Sequence, residues 1–480
     1  MSESMGDLVA CEDVLMFVNA AITSTGQREF HHYAGDQRLS LAFLHEYMLA
    51  NYRELYAAAL ALNINDHNAV LIVRNLLVYA SEVPLERRRA EGRLIAARLR
   101  LLPPQRVLRM FRDLRQVGLN NRRTRAIIQE WMASRPDPAF DAVKYRGVVK
   151  DVVRHAHLSP PGGGVTRGEL GAFLFAPHSR RAFRTPMFET WRRAHYEQAA
   201  LYDLPYTVAE GFAAKHGIPR KVFLERIEPR MTRLERLRLQ ESARGHKAGA
   251  VAADLSGMPL TRLATYVLSL SLDDRVERRD ELTGALRAAA LRAAGSLAGR
   301  WGRVTAVLDD SFSTTGSGQK RRRPLAVALA CHHLLRALAS DYTPLWLSGR
   351  ADELLLYPFG PSPLGERILD ALDTGPERLV VVSDGWDNAP PGLAAEVLRV
   401  WRTRLDPHRR VAITHLNPVY DADDFDVRRL APTVPTAGIR DAEDLPTLVE
   451  LARFAEGRVG LDDIRAYLDE RVALFTGSGR

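Results

Sequence analysis

Hard oxygen donors follow a short apolar run in the last third of the chain. The run RVTAVL is followed by Asp309, Ser311 and Ser313 at alternate positions, so that these side chains can converge on one side of a loop. A carboxylate and two hydroxyls suit Mg²⁺ or Ca²⁺ better than zinc, with water completing the shell. The spacing therefore predicts a loop that binds a divalent cation.

Two further loops carry oxygen donors of the same kind. Asp384 lies in the sequence SDG after the apolar run LVVV, where Gly385 permits a tight turn, and Ser362 lies in FGPSPLGER. Ser and Asp also cap helices, and for one loop alone that interpretation is equally good. Three such loops at one sheet edge favour a metal site, whose predicted ligands are Asp309, Ser311, Ser313, Ser362 and Asp384.

The elements that must position these loops alternate between strand and helix from residue 303 onwards. Continuous apolar strands separated by helices are typical of a parallel sheet covered on both faces, an α/β doubly wound fold. Ligands of such sheets bind beyond the carboxyl ends of the strands. The predicted strands lie in RVTAVL, TPLWLSG, DELLLYPF, ERLVVVSDG and RRVAITHL.

The chain before this region is a series of helices without a convincing strand. The stretch LSLAFLHEYMLANYRELYAAALAL, for example, carries apolar residues at three- and four-residue spacing. A series too long for one bundle predicts an α-helical solenoid of helix pairs. We therefore expect two domains, helical over residues 1–298 and α/β over 299–480.

The charge distribution differs between these parts. Residues 1–300 carry a net charge of +13 and residues 301–480 a net charge of −4. Only six of the 67 basic residues are Lys, so nearly all of the positive charge comes from Arg. A basic first part predicts a polyanionic partner. Two widely separated cysteines, no long apolar stretch and no signal-peptide pattern predict a cytoplasmic protein without disulfides or membrane contact.

A basic stripe within the helical part is a candidate for that polyanion. In AVKYRGVVKDVVRHAHLSP (142–160), Arg146, Lys150 and Arg154 recur every four residues, and His157 follows close to the helix end. Such a stripe can track phosphates, although a solvated helix face is the commoner explanation. A second cluster, NNRRTR, offers Arg122, Arg123 and Arg125 at a helix start, either for a phosphate or as a solvated cap.

Signatures of catalysis are missing from the sequence. It contains neither GxxxxGK[ST] nor GxSxG. A phosphoryl-transfer pair of aspartates would have one residue between them, whereas Asp309 and Asp310 are adjacent. His332 and His333 lie in ALACHHLLRAL, which predicts a helix buried against the sheet. We therefore expect a protein that is not an enzyme, while an enzyme acting through Asp309 or Asp384 is a third hypothesis.

The three oxygen-donor loops resemble the metal-ion-dependent adhesion site of the von Willebrand factor A domain. That site combines Asp-x-Ser-x-Ser after the first strand with a Thr in a later loop, where this chain has Ser362, and an Asp in a DG turn. The resemblance implies Mg²⁺ or another divalent cation as the cofactor. Phe312 stands where the family has a small residue, and its bulk is expected to crowd the loop.

The whole chain resembles the TROVE-domain family, which includes the Ro autoantigen and its bacterial orthologues. The resemblance is carried by KYR and HLSP in 142–160 and by the passage GRWGRVTAVLDDSFS. It implies a ring of HEAT-like helical repeats closed by an A domain, a monomer that binds Y-like noncoding RNA and the 3′ ends of misfolded RNA. Its RNA-contacting segment matches Lys144, Arg146, Lys150, Arg154 and His157.

The resemblance also implies partners that process RNA, such as a nuclease. The alternative is a protein–protein adaptor in which the A-like domain binds an acidic partner through its metal and the helical part binds no RNA. RNA affinity and its salt dependence separate the two hypotheses.

Overall fold

The computed structural model describes residues 5–80, 83–158, 164–179, 182–232, 235–236, 255, 257–452 and 461–477. The last two residues of the basic segment 142–160 lie outside the described residues. By compactness the chain divides into two units. One combines Met1–Ile72 with Leu255–Arg480 and is called the sheet unit below; the other is Val73–Asp254, the helical unit.

Helices make up the described structure before residue 303, and no strand occurs among the described residues of that region, as predicted. Pro at the first helical position and Asn or Asp caps mark several of the helix starts. The helices are α1 Met5–Thr23, α2 Ala34–Asn51, α3 Arg53–Ala58, α4 Asp66–Val78, α5 Leu85–Leu101, α6 Pro104–Gln116, α7 Arg122–Ala133, α8 Pro138–Lys144, α9 Arg146–His155, α10 Gly164–Phe175, α11 Pro186–Arg193, α12 Tyr206–Lys215, α13 Arg220–Ile227, α14 Leu260–Ser269, α15 Leu272–Glu277 and α16 Arg279–Ala294.

From residue 303 strands and helices alternate, so a helical region followed by an α/β region is confirmed. The helices of this region are α17 Arg323–Leu338, α18 Leu364–Asp373, α19 Leu393–Val400, α20 Leu445–Ala452 and α21 Leu461–Thr476. The strands are β1 Arg303–Leu308, β2 Asp341–Trp346, β3 Arg378–Val382, β4 Ala412–Asn417, β5 Tyr420–Asp421, β6 Asp426–Val427 and β7 Thr436–Gly438.

Five of the strands form one parallel sheet in the order β2-β1-β3-β4-β7. Val307, Val381 and Ile413 face a core that includes Ile368 of α18 and Leu398 of α19. The residues that alternate with them in β1 and β3 are also buried, so both faces of the sheet are covered. In this strand order the chain reverses direction across the sheet between β1 and β3, which is where such folds bind ligands.

The prediction of a strand in DELLLYPF is wrong. Residues Glu353–Leu355 form a short 3₁₀ turn instead, in which the Asp352 side chain accepts the N–H of Leu354. The Arg275 guanidinium donates to the carbonyls of Leu354 and Leu356 at 3.0 and 2.9 Å. These are the groups that a strand would offer to a neighbouring strand, so a buried side chain replaces the ladder.

The N-terminal residues pack with the α/β region inside the sheet unit. In α1, Asn19 donates to Asp426 of β6 at 2.9 Å and accepts the N–H of Gly438 of β7, also at 2.9 Å. The predicted boundary at residue 298 lies close to the change from helices to alternating strands and helices. Compactness divides the chain differently, because it groups residues 1–72 with the sheet, and the boundary stays a prediction. Cys11 and Cys331 are buried and free, and no described helix is long and apolar enough to cross a membrane.

Candidate functional site

The two predicted aspartate ligands follow neighbouring strands. Asp309 follows β1 and Asp384 comes two residues after the end of β3, and these strands pair in parallel register with Leu308 opposite Val382. The pairing continues one step further, because the N–H of Asp309 donates to the Val382 carbonyl at 3.0 Å. The fold therefore brings both carboxylates to the point in the sheet where ligands bind.

The loop after β1 draws its donor atoms together. The N–H of Ser311 donates to Asp309 Oδ1 at 2.8 Å, and the hydroxyls of Ser311 and Ser313 share a hydrogen bond of 3.2 Å. A 3₁₀ turn over Phe312–Thr315 then leads away from the sheet. The predicted convergence of the alternate side chains is thus present for the two serines, with Asp309 held at the base of the loop.

The second carboxylate oxygen of Asp309 has no hydrogen-bond partner among the described residues. This atom, Oδ2, is buried together with the rest of the side chain. Burial, and next to it the charge of Asp384, raise the pKa of the Asp309 carboxyl to about 7. Two buried carboxylates that repel each other, beside two hydroxyls, fit a hard divalent cation placed between them.

The loop with Ser362 reaches the same place. The N–H of Phe312 donates to the Gly360 carbonyl at 3.0 Å, and the N–H of Phe359 donates to the Asp310 carbonyl at 2.9 Å. Ser362 itself is buried, and its N–H donates to the Asn388 side chain at 2.8 Å. These bonds tie the Ser362 loop to the Asp309 loop, so that the five predicted ligands lie on three adjoining loops.

The turn after β3 is fixed by its glycine. Gly385 has a φ of +79°, and a Cβ atom at this position would lie 2.9 Å from the Arg428 carbonyl oxygen. This agrees with the predicted tight turn. Asp384 Oδ1 accepts the N–H of Trp386 at 3.0 Å, and the Asp384 carbonyl accepts from the Asn417 amide at 3.0 Å. Asp384 is therefore held on both its side chain and its backbone.

Asp310 has a different environment from Asp309. Its carboxylate accepts the N–H and the hydroxyl of Ser348, and the Arg350 guanidinium lies 3.6 Å from it. These contacts are structural, so Asp310 anchors the loop after β2 to the loop after β1. Of the two adjacent aspartates, it is Asp309 that faces the predicted ligands with an unused oxygen.

Phe312 does not crowd the loop, contrary to the expectation from its size. Its side chain is 61% exposed, while its N–H donates to the Gly360 carbonyl. Its ring meets Phe30 edge-on at 5.8 Å. The departure from the small residue of the A-domain pattern therefore leaves the donor atoms free.

The sequence analysis missed an N-terminal segment beside the donor loops, residues 28–33. His31 Nε2 lies 3.8 Å from Asp384 Oδ2, and its ring lies 4.6 Å from the Trp386 ring. Glu29 forms a buried ion pair with Lys320. The sequence signal is weak, because the paired histidines and aromatics in REFHHY stand alone in a loop between two helices.

Among the described residues, two groups bring three His or carboxylate ligand atoms together, and neither group includes Asp309 or Asp384. His332, His333 and Glu353 form one, and His32, Asp421 and Asp423 form the other. His332 and His333 are buried in α17, as predicted, and burial lowers the pKa of both imidazoles. In each group a carboxylate also lies 3.6 Å from an arginine, which already supplies positive charge.

In the helical unit, two of the predicted RNA-binding residues make structural contacts. Lys144 ends α8, and its ammonium lies 3.7 Å from the Glu235 carboxylate. Arg146 begins α9 and donates to the carbonyls of Phe173 and Leu174 at 3.1 Å each. Those carbonyls belong to the last turn of α10. Carbonyls of a last turn have no hydrogen-bond partners within the helix, and the negative end of the helix attracts a cation. An RNA contact of Arg146 stays a prediction.

Lys150, which is half-buried, and Arg154, which is exposed, lie beside one aromatic ring. The charged ends of Lys150 and Arg154 lie 5.9 and 5.1 Å from the centre of Phe175. Phe175 is partly exposed and ends α10. His157, two residues beyond the end of α9, is exposed with a φ of +50°. A ring flanked by two cations suits a stacked base beside its phosphates.

The arginines of the NNRRTR cluster also differ, since one points into the protein and two are exposed. Arg123 is directed inward and donates to the Glu91 carboxylate at 3.1 Å and to the Arg88 carbonyl at 3.2 Å. Arg122 and Arg125 are exposed on the first turns of α7. The Asn121 side chain caps this helix by accepting the N–H of Thr124 at 2.9 Å.

The two basic segments meet through residues that lie 35 and 36 positions apart in the sequence. Asn120 donates its amide to the His155 carbonyl at 2.7 Å, and His155 Nε2 donates to the Leu119 carbonyl at 2.9 Å. The start of α7 is thereby attached to the end of α9. Arg122 and Arg154 are thus exposed cations on adjoining helix ends.

Comparisons with known proteins add no family to this description. No family model matches the sequence, and a search of curated proteins returns no match.

Proposed function

We propose that the chain is a non-catalytic RNA-binding protein of the TROVE type, whose helical unit binds RNA and whose α/β region holds a divalent cation as an A-like domain. The proposal includes a HEAT-like solenoid for the helical part. The observation that supports it best is the attachment of the start of α7 to the end of α9, which joins two basic segments separately predicted from the sequence. RNA in the classes implied by the resemblance, Y-like noncoding RNA and misfolded RNA with a free 3′ end, is the proposed partner.

The RNA surface of this proposal is narrower than the sequence prediction. It comprises Arg122, Arg125, Lys150, Arg154 and His157, which leave their charged or ring groups available, with Phe175 between two of them. Lys144, Arg123 and Arg146 position the helices that carry this surface. Cations of the surface neutralise phosphates irrespective of base sequence, and the ring can stack on a base.

Filter binding over a salt series tests this proposal, with a structured RNA that ends in a single-stranded 3′ tail. Each phosphate contact of a single strand contributes about 0.7 to the slope of log affinity against log salt concentration. The double variant Lys150→Ala/Arg154→Ala is therefore expected to lower the slope by about 1.4 and to weaken binding. Arg220→Ala/Lys221→Ala, on exposed positions of α13, removes the same charge and is the matched control.

Absence of salt-dependent RNA affinity in the unsubstituted protein would contradict the proposal. Equal slopes for the test and control variants would contradict the assignment of the surface. A chain that binds no RNA but binds Mg²⁺ through Asp309 would support the adaptor alternative, in which the metal site recruits an acidic protein.

A further inference from the structure

Two adjacent histidines of α17 are buried with most of their polar atoms unpaired. His332 and His333 are 1% and 2% exposed. Three of their four ring nitrogens, Nε2 of His332 and both nitrogens of His333, have no hydrogen-bond partner among the described residues. Native proteins pair nearly all of their buried polar atoms, and an ion is one partner that unpaired imidazole nitrogens can take.

The fourth ring nitrogen is hydrogen-bonded in the way that a metal-binding histidine requires. His332 Nδ1 lies 3.1 Å from the hydroxyl oxygen of Tyr342 in β2. When Nδ1 carries the proton and donates it to Tyr342, the lone pair of the ring is on Nε2. Histidines that bind metals are oriented by such a bond from the nitrogen that does not bind the ion. The Tyr342 contact therefore presents His332 Nε2 as a ligand atom.

Glu353 brings a carboxylate to the two imidazoles. One ligand atom from each of His332, His333 and Glu353 lies within 4.8 Å of the other two. Glu353 begins the 3₁₀ turn after β2, whose Leu354 carbonyl accepts from the Arg275 guanidinium at 3.0 Å. The turn that carries the carboxylate is therefore held by contacts outside the cluster.

Arg336 leaves the Glu353 carboxylate able to bind an ion. Its guanidinium, one turn further along α17, lies 3.6 Å from Glu353 Oε1, which is beyond hydrogen-bond distance. The Arg336 side chain is 36% exposed, so water can solvate its charge. The Glu353 side chain is itself 18% exposed and gives the cluster a path to solvent.

We propose that His332, His333 and Glu353 form a zinc site that joins α17 to the turn after β2. Two imidazoles and a carboxylate, each about 2.0 to 2.2 Å from the ion, are a ligand set of Zn²⁺, with water in the fourth position. Tetrahedral ligands at that distance lie about 3.4 Å apart, so small rotations of the three side chains bring them onto one ion. Nitrogen ligands favour zinc over Mg²⁺ and Ca²⁺, and the site does not depend on the cation site of Asp309.

Visible absorption of Co²⁺ bound to the full chain tests the site, because four-coordinate Co²⁺ gives intense d–d bands. The unsubstituted protein is expected to show these bands, and added Zn²⁺ is expected to remove them. His333→Leu should abolish the bands and lower the zinc affinity by at least about a hundredfold, since loss of an outer hydrogen-bond partner alone costs about 10- to 100-fold. Tyr342→Phe removes such a partner and should lower the zinc affinity by about tenfold or more.

Glu353→Gln is a second ligand variant, at a partly exposed position where substitution leaves the core unchanged. It too should lose the bands. His32→Gln is the matched control, because it removes a histidine from the other three-ligand group, in which Asp423 is 82% exposed. Asp309→Asn should also keep the bands, which separates this site from the cation site of the proposed function.

An unsubstituted protein without four-coordinate Co²⁺ bands would overturn the inference, as would bands that persist in His333→Leu or Glu353→Gln. Bands lost in His32→Gln would assign the metal to the other group, and thiolate charge-transfer bands would assign it to Cys11 or Cys331. If the two histidines only fill the core, zinc would leave the thermal midpoint of the unsubstituted protein unchanged. His333→Leu would then raise that midpoint equally in zinc and in EDTA, because it removes two unpaired nitrogens.

Discussion

Replacement of Asp309 by asparagine is expected to stabilise the metal-free protein. Burial and the neighbouring charge of Asp384 raise the pKa of the Asp309 carboxyl to about 7, against about 3.9 in an unfolded chain. Each unit of difference corresponds to about 1.36 kcal/mol, so ionisation of this group destabilises the folded state by about 4 kcal/mol at pH 8. The amide of the Asp309→Asn variant would keep an oxygen for the Ser311 N–H and place no charge beside Asp384.

The sign of the pH dependence follows from the raised pKa. Between about pH 4 and pH 7 the folded chain holds a proton on Asp309 that the unfolded chain has lost, so stability falls as the pH rises. The advantage of Asp309→Asn should therefore shrink from about 4 kcal/mol at pH 8 to between about 1 and 2 kcal/mol at pH 5. Divalent cations reverse the order, because they stabilise only the protein that binds them.

Urea unfolding in EDTA at pH 8 and pH 5, followed by tryptophan fluorescence, measures this difference. Asp441→Asn serves as a control of opposite sign, since Arg440 and Arg323 lower the pKa of the Asp441 carboxyl and the charge there is stabilising. An Asp309→Asn protein that unfolds at the same or a lower urea concentration than the unsubstituted protein at pH 8 would refute the reasoning. So would an advantage that does not depend on pH.

Three more substitutions separate structural from binding roles. Arg275→Met should lower the free energy of unfolding by about 3 kcal/mol or more in urea titrations, because the buried guanidinium donates to four carbonyls, with partial rescue by lysine. Gly316→Ala should cost about 1 to 3 kcal/mol and weaken cation binding measured by calorimetry, because φ is +65° and a Cβ atom would collide with the Lys320 carbonyl. Arg146→Ala should lower the thermal midpoint, because Arg146 bonds the end of α10, yet leave the RNA affinity of the folded protein unchanged, unlike Lys150→Ala/Arg154→Ala. A loss of RNA affinity without a loss of stability would contradict this prediction.

The sheet could be predicted from the sequence because its strands are continuous apolar runs ending in polar loops. The strand order then places the loops after β1 and β3 side by side, which brings Asp309 and Asp384 together. DELLLYPF has the same apolar character and is no strand. Two of its carbonyls accept hydrogen bonds from Arg275, which lies about 80 residues earlier in the sequence, and no local sequence pattern predicts that contact.

The basic stripe shows a similar division. Periodicity correctly places Arg146, Lys150 and Arg154 in one helix, but their environments differ because α10 ends beside the first of them. A cation next to unpaired carbonyls of a helix end is drawn inward, whereas Lys150 and Arg154 lie beside the Phe175 ring. The exposed and inward arginines therefore differ by tertiary contact and not by spacing.

The 28–33 segment has the weakest sequence signal of the residues beside the donor loops, because its partners lie almost 300 residues away. It also changes the significance of Phe312, which acts as a contact for Phe30 instead of an obstacle in the loop. A cation held by Asp309 and Asp384 would join the loops after β1 and β3. At a hundredfold excess over its dissociation constant it would stabilise the folded state by about 2.7 kcal/mol. On this reasoning a bound cation would stabilise the contact between these two loops of the sheet unit.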